Sequence, residues 1–484
     1  MVSFTSGTSV DAVPAELASY IEIERRRADV VGAAVAVFDR DRVTYAGGFG
    51  YADLARGERV TPDTLFRAAS ISKLFTTTLV FQEIEAGRLT LDDWINLYLD
   101  PATQIRDASG VPTDVTVRHI LTHTSGLPVS WKGLQYGNLL MRHAVSGVRL
   151  PRTLADVVAG QRTVRPAGER IVYSNGGFAL LGHLVATRSR RPFPDVVRER
   201  VLAPLGMTRS SFPVEVSGPG IATAYGGSIA GGAGRKPAPH VRNLSGPAGA
   251  LLTSARELAQ FGRMVLRGGE LDGVRLLSES TLADATRLHV RNHPDLDRGW
   301  GLGFDAGVLR GRRVAGHSGG LPGVATHIAL QPDDGLGVVV LTNGGDTGFV
   351  GRVYERCFEV MHGDAPEPIS GAPSGIPASL ERPWRTFTTR VPGRYKMVDL
   401  APPGVVSLAM GLLARPRLSH VAGGVLALDG TGYEPDEPGF AYPDGEVGRY
   451  RLAHPAMNGA RLVIEERADG VHAWASILHL RKAT

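Results

Sequence analysis

Apolar positions recur in two rhythms along this chain, and the switches between them outline a fold. Gly32–Phe38 and Arg42–Gly47 are short, apolar-rich runs separated by the polar Asp39-Arg40-Asp41, which predicts a hairpin. Far downstream, Ala325–Gln331 alternates loosely and Gly337–Thr342 is nearly continuous in apolar residues, as in a strand covered on both faces. Helical spacing marks Pro14–Ala28, the stretch from Ser70 to about Ala86 that stops at Gly87, and Gly177–Thr187 with Phe178, Leu180, Leu181 and Leu184 on it. From Val111 to about Leu205 the pattern is mainly helical, and a last helix is expected near Phe349–His362. Strands at both ends with helices between predict an α+β fold. Its antiparallel sheet would be flanked by helices, with the first and last strands pairing around an all-helical insert.

Beyond Gly363 the rhythm breaks. Pro366, Pro368, Pro373, Pro377 and Pro383 mark an extended linker over 366–385, which sets off a first unit at 1–365. In 386–484 the segments Val405–Met410, Gly424–Leu428, Gly448–Leu452, Arg461–Glu465 and His472–His479 alternate with Gly/Pro/Asp turns. That spacing predicts a small antiparallel β-barrel or sandwich. Ser217–Gly246, rich in Gly, Ala, Pro and Ser, reads as a long surface loop.

Composition narrows the function classes. At 43% hydrophobic and 21% charged residues, the 484-residue chain is an ordinary globular protein with room for a substantial core. Its net charge of +5 is spread along the sequence. Even the densest runs, Arg25-Arg26-Arg27 and Arg188-Ser189-Arg190-Arg191, read as solvated helix faces, so no nucleic-acid partner is expected. No run has the length of a membrane span, and Met1–Val10 lacks a basic and apolar export pattern, so a cytoplasmic location is expected. A single cysteine, Cys357, rules out an internal disulfide and reads as helix packing.

The chemistry begins at Ser70-Ile71-Ser72-Lys73. A serine three residues before a lysine shares its helix face, and a helix N-terminus favours negative charge developing on that serine. Only five of the 53 Lys+Arg are lysines (Lys73, Lys132, Lys236, Lys396 and Lys482), so Lys73 stands out as an amine kept for titration. Two further segments carry candidate groups: Tyr173-Ser174-Asn175 just before a helix, and His317-Ser318-Gly319-Gly320 after the strand-like Arg313–Gly316. Each has a plainer rival. Ser70 and Asn175 are ordinary N-cap types, Tyr173 could be a core tyrosine, and His317 a satisfied strand-end histidine. His119 and His123 have the i,i+4 spacing of helical metal ligands but no acidic partner between them, and they read as structural; no metal and no cofactor are expected.

Taken together, S-x-x-K, Y-x-N and H-x-G in this order resemble the penicillin-recognising serine acyl-transfer family: class C β-lactamases, D-Ala-D-Ala carboxypeptidases, related esterases and D-amino-acid peptidases. Leu121–Pro128, Gly246–Ser254 and Gly299–Phe304 carry family-like phrases, and the resemblance spans roughly residues 15–362. It implies Ser70 as nucleophile, Lys73 as its proton partner and Tyr173 as general base, with Lys73 and His317 lowering the phenol. It further implies Asn175 as hydrogen-bond partner of Lys73 and substrate, and the N–H groups of Ser70 and Gly320 as oxyanion hole. Ser318, Gly319, Trp131, Tyr136 and Trp300 would line the substrate cleft, with Arg67 beside them. The expected activity is acyl transfer through acyl-Ser70, hydrolysing an ester, amide or D-amino-acid-type peptide. An alternative is a penicillin-binding-protein-type thioesterase that releases and cyclises a nonribosomal peptide from a peptidyl carrier protein, with a C-terminal lipocalin-like barrel helping to form the acceptor site. A non-catalytic scaffold is the third, and it sits poorly with the retention of Ser70, Lys73 and Tyr173.

Overall fold

The computed structural model describes residues 12–129, 134–136, 151–226, 235–239 and 241–364, followed by strands within 393–482. The linker expected at 366–385 and the segment Val405–Met410 lie outside the described residues, as does Trp131. Nine strands form the main antiparallel sheet. They are β1 (Gly32–Asp39), β2 (Val43–Asp53), β3 (Glu58–Arg59), β6 (Val290–Arg291), β7 (Arg298–Trp300), β8 (Asp305–Leu309), β9 (Arg312–Leu321), β10 (Val324–Gln331) and β11 (Leu336–Thr342), in the spatial order β6-β7-β8-β9-β10-β11-β1-β2-β3. Between β3 and β6, the short strands β4 (Phe66–Ala69) and β5 (Leu251–Thr253) pair with each other. β1 joins β11 from Ala33↔Thr342 to Asp39↔Leu336, so the two ends of the first unit do meet around the helices.

The two-residue side-chain period of a strand explains how β1 is buried throughout. Ala33, Val35 and Val37 enter a cluster with Leu17 and Ile21 of α1 (Ala12–Arg27) and Phe349, Val353 and Cys357 of α5 (Thr347–His362). Ala34, Ala36 and Phe38 point the other way, toward Leu74 and Phe75 of α2 (Ser72–Glu85) and Phe261 and Met264 of α4 (Ala255–Leu266). Gly262 lets α4 seat this closely: a Cβ there would lie 2.3 Å from the Phe38 ring. The middle of the insert is less regular than its pattern predicts. α3 (Asn175–Ser189) is the long helix there, and single turns such as Val117–Leu121 and Leu154–Val158 are joined by loops.

In the C-terminal part, eight strands from Gly393–Met397 to Leu478–Lys482 pair in chain order, and the last returns to the first, closing a ring. The segment His472–His479, expected as one strand, is split between Gly470–Ala475 and Leu478–Lys482. The ring touches the first unit where Leu296 packs with Val463 and Trp474. Arg170 also donates to Nδ1 of His479, whose Nε2 lies 2.8 Å from Nδ1 of His472, and His472 Nε2 reaches Asp469 at 3.0 Å.

Candidate active site

Ser70 sits between β4 and α2, in a turn tighter than expected. The helix begins at Ser72, not at Ser70, because Ala69 adopts a left-handed conformation (φ +49°) that turns the chain before the first helical residue. Non-glycine residues enter that region at a cost of roughly 1–2 kcal/mol, so the turn needs outside support. Support comes from three elements. Thr326 Oγ1 of β10 donates to Ala68 O at 3.0 Å, Ser72 Oγ donates to Ala69 O at 2.6 Å, and the same Ser72 oxygen accepts from Leu251 N of β5 at 2.8 Å.

One helical turn past Ser70, the wholly buried Lys73 places its Nζ 3.0 Å from Ser70 Oγ, 2.8 Å from Asn175 Oδ1 and 2.8 Å from the Ala248 carbonyl. Burial pushes this amine well below the usual lysine range. A neutral amine has two N–H groups and one lone pair. Two fixed carbonyl oxygens use both N–H groups, which leaves the lone pair facing the Ser70 hydroxyl. In its neutral form this amine has the geometry to accept the serine proton.

Asn175 is the first residue of α3, and Ser174 caps that helix by accepting from Gly177 N at 3.1 Å. Tyr173 therefore leaves the helix start at a fixed angle. Its ring lies 4.9 Å from Lys73 Nζ, and the Ser70 side chain acts on its phenol in the direction opposite to burial. Here the structure corrects an expectation. Burial raises the Tyr173 phenol well above its ordinary value, and burial likewise disfavours the charged forms of Lys73 and His317 that were to lower it. Tyr173 is thus a phenol that can donate to or relay a proton from Ser70, rather than a resting phenolate.

His317 lies within β9, not after a strand, and is buried. Its Nδ1–H donates to Ser318 O at 2.6 Å, and burial followed by the nearby Lys73 lowers its pKa to about 3. It therefore brings no cation to the cleft. Its ring stands 6.4 Å from that of Tyr173 and 5.3 Å from that of Trp300. Ser318 and Gly320 are exposed while Gly319 between them is buried, because β9 runs directly over the Ser70 turn: a Cβ on Gly319 would lie 2.2 Å from Ala68 O and 2.3 Å from Thr326 Oγ1. This crossing sets β9 against the turn that carries Ser70.

The remaining sequence-predicted residues are divided. Trp300 is buried, edge-on to His123 with centroids 4.4 Å apart, so it forms an inner wall rather than an open cleft surface. Arg67 turns aside and donates to Val241 O at 3.0 Å. Tyr136 belongs to a short strand paired with Val241–Asn243, while its side chain lies outside the described residues. His119 and His123 diverge. His119 Nδ1 accepts from Thr116 N at 3.2 Å as part of a helix cap, and His123 faces Tyr173. Two groups escaped sequence reasoning: the Ala248 carbonyl and Ser72. The phrase Gly246–Ser254 flagged the segment, but a backbone carbonyl has no side-chain signature.

A serine in the turn before a helix, hydrogen-bonded to a buried lysine and close to a tyrosine beside an antiparallel sheet, has the layout of serine acyl-transfer enzymes. The chain belongs to the β-lactamase family, whose match covers residues 19–356. It is 32% identical over 326 residues to penicillin-binding protein 4 of Amycolatopsis lactamdurans, covering 65% of this chain and 81% of that protein. Among solved structures, the octameric penicillin-binding protein homologue from Pyrococcus abyssi shares the fold with a TM-score of 0.60 at 22% identity, over 97% of this chain and 99% of the other. A D-stereospecific amidohydrolase from Streptomyces sp. aligns with a TM-score of 0.56 at 25% identity, over 73% and 99%. Among the described residues, no helix is long and apolar enough to cross a membrane.

Proposed function

We propose that this protein is a serine hydrolase that acylates Ser70 with an ester or amide substrate uncharged where it meets His317, and passes the acyl group to water. The observation that carries the reading is the Lys73 arrangement: two fixed carbonyl acceptors and the Ser70 oxygen within 3.0 Å of a buried amine. In the first step the Lys73 lone pair takes the Ser70 proton as Oγ adds to the substrate carbonyl, and negative charge gathers on the former carbonyl oxygen. N–H donors from Ser70 and Gly320 would receive that charge; losing one such donor costs about 2.7–4 kcal/mol. The leaving group is protonated through Lys73 and Tyr173, and water repeats the sequence in reverse. With His317 neutral, the cleft lacks the cation that would hold a substrate carboxylate at that point. Neutral esters and amides, including D-configured amides of the kind that the name of the Streptomyces D-stereospecific amidohydrolase suggests, are therefore preferred over acidic substrates.

The test pairs the wild type with Ser70→Ala. Both are incubated with p-nitrophenyl butyrate, D- and L-phenylalanine amide, a fluorescent penicillin and a short thioester ending in a D-residue, and followed by intact mass and product analysis. Ser70-dependent release of free acid or ammonia is expected. A cyclic product from the thioester would move the function to peptide cyclisation, and an adduct retained in Ser70→Ala would remove Ser70 as the nucleophile.

A further inference from the structure

His123 was set aside in the sequence as a structural histidine, yet its contacts converge on one residue. Its backbone is left-handed (φ +58°), an uncommon state for a histidine, and its side chain is 1% exposed. From this strained position it makes three contacts with one short segment. Its carbonyl accepts from Val172 N at 2.7 Å, its Nδ1 accepts from Ser174 N at 3.1 Å, and its ring packs on that of Tyr173 with centroids 4.3 Å apart at 34°. The residues on either side of Tyr173 are thus held by hydrogen bonds, and Tyr173 itself by ring contact. Trp300, edge-on at 4.4 Å, and Phe178 at 5.1 Å close the other sides of the imidazole.

The tautomer follows from these contacts. A backbone N–H occupies Nδ1, so the proton resides on Nε2, and a charged imidazolium would lose the Ser174 bond. Burial lowers the ring's pKa well below the ordinary imidazole range, in keeping with this tautomer.

We propose that His123 is a positioning residue for Tyr173: it clamps Val172–Ser174 so that the phenol hydroxyl stays on Ser70. The strained backbone, the buried acceptor and the stacked ring serve that single geometry. The inference rests on the hydrolase reading only in that Tyr173 must matter for turnover. Because misplacing a reacting group by about 1 Å can cost roughly 100-fold, a loosened clamp acts on kcat while leaving the substrate-binding surface intact.

A double-mutant cycle on ester hydrolysis tests this, using wild type, His123→Phe, Tyr173→Phe and the double variant. His123→Asn is added because its side-chain oxygen can replace Nδ1 as acceptor and asparagine tolerates the left-handed backbone. Thermal midpoints and far-ultraviolet circular dichroism report folding. The expected result is a kcat loss of at least about tenfold in His123→Phe with KM within about twofold, partial recovery in His123→Asn, and no further loss when His123→Phe is added to Tyr173→Phe. Losses that multiply in the double variant, or an unchanged kcat in His123→Phe, would overturn the proposal. A Tyr173→Phe variant with full activity would instead remove Tyr173 from the mechanism. If His123→Phe does not fold, the cycle is run with His123→Asn, where a multiplicative loss again overturns the clamp.

Discussion

Replacing Asn175 by aspartate turns the amide whose Oδ1 lies 2.8 Å from the Lys73 amine into a carboxylate and leaves the shape almost untouched. A carboxylate at that distance attracts an ammonium by about 6 kcal/mol at an effective dielectric of about 20, from 332/(20 × 2.8). Burying the new charge costs several kcal/mol of hydration, so roughly 3 kcal/mol remains to favour protonated Lys73. At 1.36 kcal/mol per pH unit, the amine's pKa then rises by about two units. In the proposed mechanism Lys73 must be neutral to act as base, so the rising limb of kcat/KM against pH moves up by about two units, and the rate on the acid side of that limb drops by up to about 100-fold. The measurement is p-nitrophenyl butyrate hydrolysis by wild type and Asn175→Asp across pH 5–10.5, with the fold checked at each end. Recovery of the variant toward wild-type rates on the alkaline side of the shifted limb is the diagnostic outcome. A limb that stays in place, or a loss equal at every pH, would refute the neutral-amine mechanism.

Other consequences follow from packing and charge. Gly319→Ala brings a methyl to 2.2 Å from Ala68 O, forcing β9 away from the Ser70 turn. Ester turnover should fall at least 100-fold with only a modest drop in thermal midpoint, whereas Gly320→Ala, whose Cβ meets nothing within 4 Å, should fold as well as wild type. Glu83 receives Arg88 at 2.8 and 2.9 Å and Arg200 at 2.8 Å, and the Arg88 bond, followed by burial that opposes it and then Arg200, leaves its pKa at about 2. A folded pKa below the unfolded one stabilises the protein above about pH 4.5, and that stability is lost as pH falls toward 2. Glu83→Gln should therefore cost about 1–2 kcal/mol at pH 7, a figure reduced by the solvent exposure of Arg88, and its difference from wild type should shrink as denaturation is repeated at pH 4 and then 3. In each case, chemical denaturation alongside turnover separates a stability effect from a catalytic one.

Much of the architecture could be read from periodicity. β1, β10, β11 and α5 lie within two residues of where their apolar patterns put them, because both faces of the sheet are covered and each strand position has a fixed side. Ser70, Lys73, Tyr173 and Asn175 were named by motif, and they converge. What escaped was of a different kind. The left-handed Ala69 that delays the helix to Ser72 has no residue-type signal, since glycine or asparagine would be the expected marker. The Ala248 carbonyl holds Lys73 through backbone alone. Spacing suggested that His119 and His123 share a helix face, but the turn ends at Leu121 and His123 swings toward Tyr173. The state of Tyr173 was misjudged because charge was counted from composition. Burial decides whether Lys73 and His317 carry charge at all, and burial is a tertiary property.

The turn that carries Ser70 is held from outside by Thr326 on β10, by Leu251 on β5 and by Ser72 in the first turn of α2. None of these groups touches a reacting atom, yet all are needed to keep Ala69 in a conformation it would leave on its own. The placement of Ser70 is thus a gauge of the core. Any loosening between the sheet and α2 lets the turn relax before the molecule unfolds, so turnover disappears ahead of global structure. In a lineage of such sequences, substitutions deep in the sheet would then be screened by catalysis long before stability itself became limiting.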